Sequence, residues 1–166
     1  MTFSIVLRDS EENSFGIAAA TRHFAVGALV PHSRSGVGAV AVQSSTNPHL
    51  GLSGLEQLAS GKNIEQALKT VLAEDPEAGL RQLHGLDASG KSWAWSGKQT
   101  KKWAGHQCGE NYSVAGNMLT GVEVVETCVD SLLKNTDLPL EEKLLKALQA
   151  GGDRRGGQAI CSLADS

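Results

Sequence analysis

The sequence has 166 residues, a formal net charge of −3, 40% hydrophobic residues and 20% charged residues. A chain of this size and composition is typical of a globular protein, and we expect one domain over residues 1–166. The mildly acidic balance lacks the basic patch that nucleic acid or an anionic membrane attracts, and no apolar run approaches the roughly 18 residues of a membrane span. Because no charged and then apolar leader precedes residue 2, we expect a cytoplasmic protein without nucleic-acid or membrane partners.

Cysteine and histidine are spaced in ways that indicate neither a disulfide framework nor a metal site. The three cysteines, Cys108, Cys128 and Cys161, are far apart and form no CxxC pair. The five histidines show no HxH, HxxxH or HExxH spacing. We therefore expect reduced thiols, no metal and no cofactor.

The first 42 residues predict three strands. Residues 2–8 and 15–20 are short apolar runs joined by a polar turn, which is typical of a hairpin. Residues 37–42 are small and apolar without polar alternation, which favours a strand buried on both faces.

Two helices are predicted next. The dipeptide Asn47-Pro48 predicts a break, after which Ser53 and Glu56 form a capping-box pattern at the start of a helix. Asn63 begins a second helix with one apolar stripe, and Asp75-Pro76 ends it.

The second half predicts a hairpin, a strand, two helices and a final strand. The hairpin covers residues 80–86 and 91–95 around the turn Asp87-Ala88-Ser89-Gly90. The later elements are expected as a strand at 112–114, helices at 121–134 and 139–150, and a strand at 158–163.

Helices that arrive in consecutive pairs argue against a parallel βαβ sheet. They favour two packed sheets with a helical layer outside each. We therefore predict an α+β fold, a four-layer αββα sandwich of two mostly antiparallel sheets. The N-terminal-nucleophile hydrolases use this arrangement, with the nucleophile at the start of the first strand.

Residues 85–92 match the phosphate-loop pattern G-x-x-x-x-G-K-[ST] letter for letter. A functional phosphate loop lies between a strand and a helix, whose N-terminal amides hold the phosphates. Here residues 93–97 alternate large and small side chains and then break, as the return strand of a hairpin does. We reject the match and keep nucleotide binding only as a distant alternative.

Thr2 becomes the first residue once the initiator methionine is removed, which its small size favours. It heads an apolar strand, where its hydroxyl can attack an amide carbonyl while its own α-amine takes the proton. Small second residues are common in proteins of every kind, so Thr2 alone does not assign an activity. Retention of Met1 would leave Thr2 without a free amine. We predict Thr2 as the catalytic nucleophile.

Two polar segments follow predicted strands and are candidate parts of a site. Gln43 and Asn47 belong to a run of amides and hydroxyls where a buried strand ends, although an ordinary loop explains such a run equally well. Asn117 closes a Gly-rich segment that begins near His106 and can present oxyanion donors, although a tight crossover also explains it. We predict Asn117 as catalytic, and Gln43, Asn47 and His106 as substrate-binding.

Charged residues add a third group of predicted substrate-binding positions. Arg22, at the end of the second strand, would lie near Thr2 across the hairpin unless it is a plain surface charge. Asp153, Arg154 and Arg155 stand in a Gly-rich turn that can clamp a substrate carboxylate, or can simply be a solvated turn after a helix.

The chain also resembles the bacterial family known as domain of unknown function 1028 over essentially its whole length. The matching stretches are Thr2–Val6, Phe24–Gly27, Gly36–Ala41 with Gln43, Asn47-Pro48 with Gly51 and Gly54-Leu55, Trp103–His106, Gly109-Glu110, Tyr112–Val114, Gly116–Leu119, and Gly152–Gly156 with Gln158. The resemblance implies a fold like that of the N-terminal-nucleophile hydrolases, but it supplies neither a reaction nor catalytic residues.

This chain departs from the family pattern in three places. His32 stands where the family usually has Trp, and Ala115 where it often has Gln, so we expect a different pocket shape. The sequence stops at Ser166, where family members usually continue, so we expect a shortened member with an incomplete sheet.

The leading hypothesis is hydrolysis of a small, non-peptide amide or related C–N bond, with a small-molecule substrate. Thr2 would be the nucleophile, Asn117 the oxyanion donor, and Arg154 or Arg155 a carboxylate clamp. The alternative is a non-catalytic small-molecule-binding protein that retains the fold. The exposed edge expected after Cys161–Leu163 also predicts a homodimer.

Overall fold

A computed structural model describes residues 1–153 and the backbone of a strand over residues 160–165. The strands are β1 (Thr2–Asp9), β2 (Ser14–Thr21), β3 (Pro31–Arg34), β4 (Gly38–Ser44), β5 (Arg81–Asp87), β6 (Ser92–Ser96), β7 (Gly105–Gly109), β8 (Tyr112–Asn117) and β9 (Ile160–Asp165). The helices are α1 (Val26–Leu29), α2 (Pro48–Ala59), α3 (Ile64–Ala73), α4 (Glu123–Lys134) and α5 (Leu140–Asp153).

The strands form two antiparallel sheets that pack face to face. One sheet has the order β7-β8-β1-β2-β9 and the other has the order β3-β4-β5-β6. Helices α4 and α5 cover the outer face of the first sheet, and α2 and α3 cover the outer face of the second. The predicted α+β fold, with two antiparallel sheets between helical layers, is confirmed.

Alternation along each strand divides its side chains between two environments. On β1, Phe3 and Ile5 pack against α4 and α5, whereas Val6 faces the other sheet beside Ala41 and Leu86. One end of the space between the sheets is therefore apolar. The other end, where β1 begins, is filled by polar side chains.

The helix starts differ from the predictions in one case. Asn63 caps α3 as predicted, since its side chain accepts from the Gln66 amide and the Gln66 side chain accepts from the Asn63 amide. The predicted start of α2 at Ser53 is wrong, because α2 begins at Pro48 and Asn47 is its N-cap. Proline fits the first helical position, where a backbone N–H has no partner to lose.

Two further boundaries differ from the predictions. The segment before β8, expected to be irregular, contains strand β7, which pairs with β8 in a tight hairpin. Helix α5 also continues through Gly151, where it was expected to stop. A Cβ at Gly151 would collide with the Cys128 sulfur and lie 2.9 Å from the Phe3 ring, so close packing explains this glycine.

The phosphate-loop pattern at residues 85–92 is part of a hairpin. Strand β5 ends at Asp87 and β6 begins at Ser92, with no helix at that point. The Asp87 carboxylate accepts from the amides of Ser89 and Lys91, which closes the turn around Gly90 at φ 83°. The structure agrees with the rejection of this match.

None of the helices that the structure describes is long and apolar enough to cross a membrane.

Candidate functional site

A pocket of about 360 Å³ opens where β1 begins and where β2, β4 and β8 end. Its described lining residues are Met1, Thr2, His23, Ser44, Ser45, Leu80, Gln99, Lys101, Asn117 and Met118. This volume is within the range of small-molecule sites. The lining mixes hydroxyl and amide groups with three apolar side chains.

Thr2 is held at the back of this pocket by strands on both sides. Its backbone pairs with Thr21 on β2 and with Asn117 on β8. The two threonine hydroxyl oxygens are 3.0 Å apart, and Thr21 donates to the Met1 carbonyl at 3.2 Å. The Thr2 hydroxyl therefore donates to Thr21, and only 7% of Thr2 is exposed.

A connected group of buried polar side chains lies directly behind the pocket. It consists of Ser4, Gln43, Gln82, His84, Ser113 and Asn117, each of which is at most 3% exposed. We refer to these six residues as the polar core. Buried polar groups of this kind are costly unless each one has a partner, and the hydrogen bonds below supply them.

Two backbone carbonyls fix the orientation of the Gln82 side-chain amide, and through it the direction of the hydrogen bonds in the polar core. Gln82 Nε2 lies 2.9 Å from the Gly116 oxygen and 3.1 Å from the Gly105 oxygen, and a carbonyl can only accept. The Gln82 oxygen must then accept, which it does from Gln43 at 2.8 Å and from Asn117 at 3.1 Å.

The same reasoning assigns the tautomer of His84. Ser4 donates to the Gln43 oxygen at 2.7 Å, so the Ser4 oxygen accepts from His84 Nε2 at 2.7 Å. His84 therefore carries its proton on Nε2, and Nδ1 accepts from the Ser113 hydroxyl at 3.0 Å. Burial lowers the pKa of His84 to about 3, with the charge of His106 as a smaller cause, so the ring is neutral.

Two residues of the pocket rim adopt a backbone conformation that side chains disfavour. Ser44 has φ 75° and Met118 has φ 56°, both in the left-handed region. Ser44 ends β4 in the facing sheet, and Met118 directly follows β8, the neighbour of β1. Such conformations cost free energy and are concentrated at functional sites.

Ser45 is fixed from behind by a buried guanidinium. Arg81 donates to the Ser45 carbonyl at 2.6 Å and to the Ser45 hydroxyl oxygen at 3.0 Å. The hydrogen bond from Arg81 lowers the pKa of Asp75, and Glu77 lies 2.6 Å from the same guanidinium. Because the Ser45 oxygen accepts from Arg81, its own hydrogen is left to donate elsewhere.

The structure brings two of the predicted site residues, Thr2 and Asn117, into one pocket. Gln43 lies behind it, and both ends of its amide are engaged by Ser4 and Gln82. Arg22 is exposed directly after Thr21, the cross-strand partner of Thr2, and does not line the pocket.

The other predicted binding residues lie elsewhere or are not described. The Asn47 side chain caps α2, and the His106 ring lies 2.9 Å from the Ser96 hydroxyl on the edge hairpin. Asp153 is the exposed last residue of α5. Arg154 and Arg155 lie outside the described residues.

The sequence analysis missed most of the polar core. The available signal was polar residues at alternate positions of otherwise apolar strands, as in Thr2 and Ser4 on β1 and in Gln82 and His84 on β5. Lys101 was missed because a pocket wall assembled from separate loops leaves no spacing pattern in the sequence. Ser45 belongs to the polar run at residues 43–47 but was not predicted as a site residue.

Comparison with known proteins gives the following matches. The family model described as "Family of unknown function (DUF1028)" matches residues 2–163. Among solved structures, the chain is similar to the crystal structure of protein SPO2555 from Silicibacter pomeroyi, which carries the same family assignment. The TM-score is 0.91 at 29% identity, covering 98% of this chain and 71% of that chain. The search of curated proteins yields no match.

Proposed function

We propose a hydrolytic function for this chain, which belongs to the DUF1028 family of unknown function. The substrate class is a small amide or a related C–N bond, and Thr2 is the nucleophile. One observation carries the proposal: a hydroxyl residue at position 2 stands in the wall of a small-molecule pocket, clamped between two strands. Removal of Met1 would add a free α-amine at the same position.

The proposed reaction has two steps. The Thr2 oxygen bonds to the amide carbon while its proton passes to the Thr2 α-amine, and the C–N bond then breaks as the leaving amine takes that proton. Water next attacks the resulting ester, which releases the acid and restores the hydroxyl. Asn117 supports the developing oxyanion, because one N–H goes to Gln82 and the second is left for the substrate.

Thr21 supports the orientation of the nucleophile. Its hydroxyl oxygen lies 3.0 Å from that of Thr2 and also accepts a hydrogen bond from the His23 amide at 3.2 Å. Arg154 and Arg155 remain predicted as a carboxylate clamp.

A second candidate function is non-catalytic binding of a small molecule. One observation favours it: Met1 is integrated into the site, with its amino group 3.4 Å from the Met118 sulfur and its carbonyl accepting from Thr21. A chain that keeps Met1 has the pocket but no free amine on Thr2.

Intact-mass measurement of the purified, untagged protein separates these two functions. We expect the protein to lack one methionine residue, because Thr2 is small enough for excision. Complete retention of Met1 in the untagged protein would favour the binding function.

The activity test compares hydrolysis of a panel of small amides by the wild type and three variants. Thr2→Ala is expected to lower the rate by about a hundred-fold or more, whereas Thr2→Ser keeps a measurable rate because it retains a hydroxyl. Thr136→Ala, which removes an exposed hydroxyl outside the pocket, serves as the matched control. Equal rates for wild type and Thr2→Ala would show that Thr2 is not the nucleophile.

A further inference from the structure

We infer that the pocket selects ligands that carry a carboxylate, held by Lys101 and Ser45. This deepens the proposed function, on which it rests, by naming the substrate class as small amides with a free carboxylate. The argument uses the charge of the pocket wall and the direction in which its hydrogen bonds point.

The wall of the pocket is positively biased although the whole chain has a net charge of −3. Among the ten described lining residues, the Lys101 side chain and the amino terminus carry formal positive charges and none carries a carboxylate. The Lys101 side chain is exposed to the pocket and to solvent. An anion entering here gains an attraction that a neutral group does not.

Two uncharged side chains of the wall have a hydrogen that they can donate to a ligand. The Ser45 oxygen accepts from Arg81 at 3.0 Å, so its hydrogen is available to a ligand. Asn117 gives one N–H to Gln82 and keeps the other for the pocket. A carboxylate offers acceptors only, so it matches these two donors and the Lys101 ammonium better than an amide, which brings donors of its own.

An ion cluster around the buried Arg81 guanidinium holds Ser45 in place. Arg81 is 5% exposed and binds Asp75 at 2.7 Å as well as Glu77 at 2.6 Å. Neither carboxylate lines the pocket; the guanidinium offsets one of the two negative charges, and the Glu77 side chain is largely exposed to solvent. Arg81 is thus a positioning residue that fixes the Ser45 hydroxyl oxygen as an acceptor and leaves the Ser45 hydrogen to donate.

The test measures binding separately from turnover, in the Thr2→Ala background. The probes are matched pairs of small acids and their primary amides, such as N-acetylglycine with N-acetylglycinamide and hippurate with hippuramide. Affinity is measured by ligand-observed NMR titration. We expect each bound acid to bind about ten-fold tighter than its amide, the scale of one charge-assisted hydrogen bond.

Variants assign that preference to the pocket. Lys101→Gln should lower the acid-to-amide ratio several-fold, and Lys101→Arg should keep it. Lys102→Gln removes the neighbouring exposed charge, which does not line the pocket, and should leave the ratio unchanged. Ser45→Ala should lower the ratio without abolishing it.

The outcomes distinguish this inference from the proposed function. An unchanged preference in Lys101→Gln, equal affinity for acids and amides, or no binding of any acid would each overturn it. Acid preference without turnover by the wild type would leave the carboxylate site standing and remove the hydrolase. Turnover by the wild type, with equal affinity for acids and neutral amides, would support the hydrolase and remove the carboxylate site.

Discussion

At the scale of single residues, His84 is the centre of the polar core. It is fully buried between the sheets, with Ser4 on one ring nitrogen and Ser113 on the other. Because both nitrogens are engaged by hydroxyls, the neutral ring is fully hydrogen-bonded in this tautomer. A protonated ring would bring a charge into a space that supplies no carboxylate among these partners.

The buried ring predicts a loss of stability in mild acid. Burial lowers the pKa of His84 from 6.5 to about 3, so the unfolded chain binds the proton first as the pH falls. The contribution of the neutral His84 ring to the free energy of unfolding is complete above pH 6.5. It is lost progressively as the pH falls toward 3. Between pH 7 and pH 5 this amounts to about 2 kcal/mol, to be measured by urea unfolding at each pH.

His84→Gln should be less stable at pH 7 but should show a flatter dependence on pH. His49→Gln, at an exposed position, should keep the wild-type slope. In the folded wild type, the NMR resonances of the His84 ring should not titrate between pH 7 and pH 5. Titration near pH 6.5 would show that the ring is not buried as described.

At the scale of secondary-structure elements, one residue joins a turn to a helix. Asp87 Oδ1 accepts from Ser89 and Lys91 in the β5–β6 turn, and Asp87 Oδ2 accepts from the Ile64 amide at the start of α3. The same carboxylate therefore closes the hairpin and satisfies a helix N-terminus.

Replacement of Asp87 by Ala should lower the free energy of unfolding by about 1–3 kcal/mol, because four donors lose their acceptor and Asp87 is 7% exposed. Ser89→Ala, which removes one of those donors, should cost less than about 1 kcal/mol. Urea unfolding midpoints measure both. Equal losses for the two variants would show that the link to α3 contributes nothing.

Most elements could be predicted from local patterns, and the exceptions have physical reasons. Strand β7 was missed because His106 and Cys108 alternate with glycine and glutamine on a sheet edge, which gives no apolar period. The start of α2 was misplaced because Asn47-Pro48 suits both a turn and a helix N-terminus. The pocket could be predicted only at Thr2 and Asn117, since its other walls come from loops.

At the scale of the whole molecule, the first strand of the chain is the central strand of its sheet. Strand β1 has β8 on one side and β2 on the other, and β9 follows at the sheet edge beyond β2. Within the part of the chain that the structure describes, β9 has no strand on its outer side. An edge of this kind is commonly covered by another surface.

The homodimer therefore stays a prediction with a direct test. Light scattering at micromolar concentration should give a mass near twice the 17.4 kDa of one chain. A mass close to that of one chain, independent of concentration, would contradict it.

The central position of β1 has a practical consequence for preparing the protein. Since Thr2 is paired on both sides and Met1 lines the pocket, any residues added before Met1 must leave through the pocket mouth. An amino-terminal affinity tag would begin at the pocket wall, where it can hinder ligand entry, and it would also block excision of the methionine. Samples for ligand screening should therefore carry no residues before Met1, with the purification handle attached away from this end.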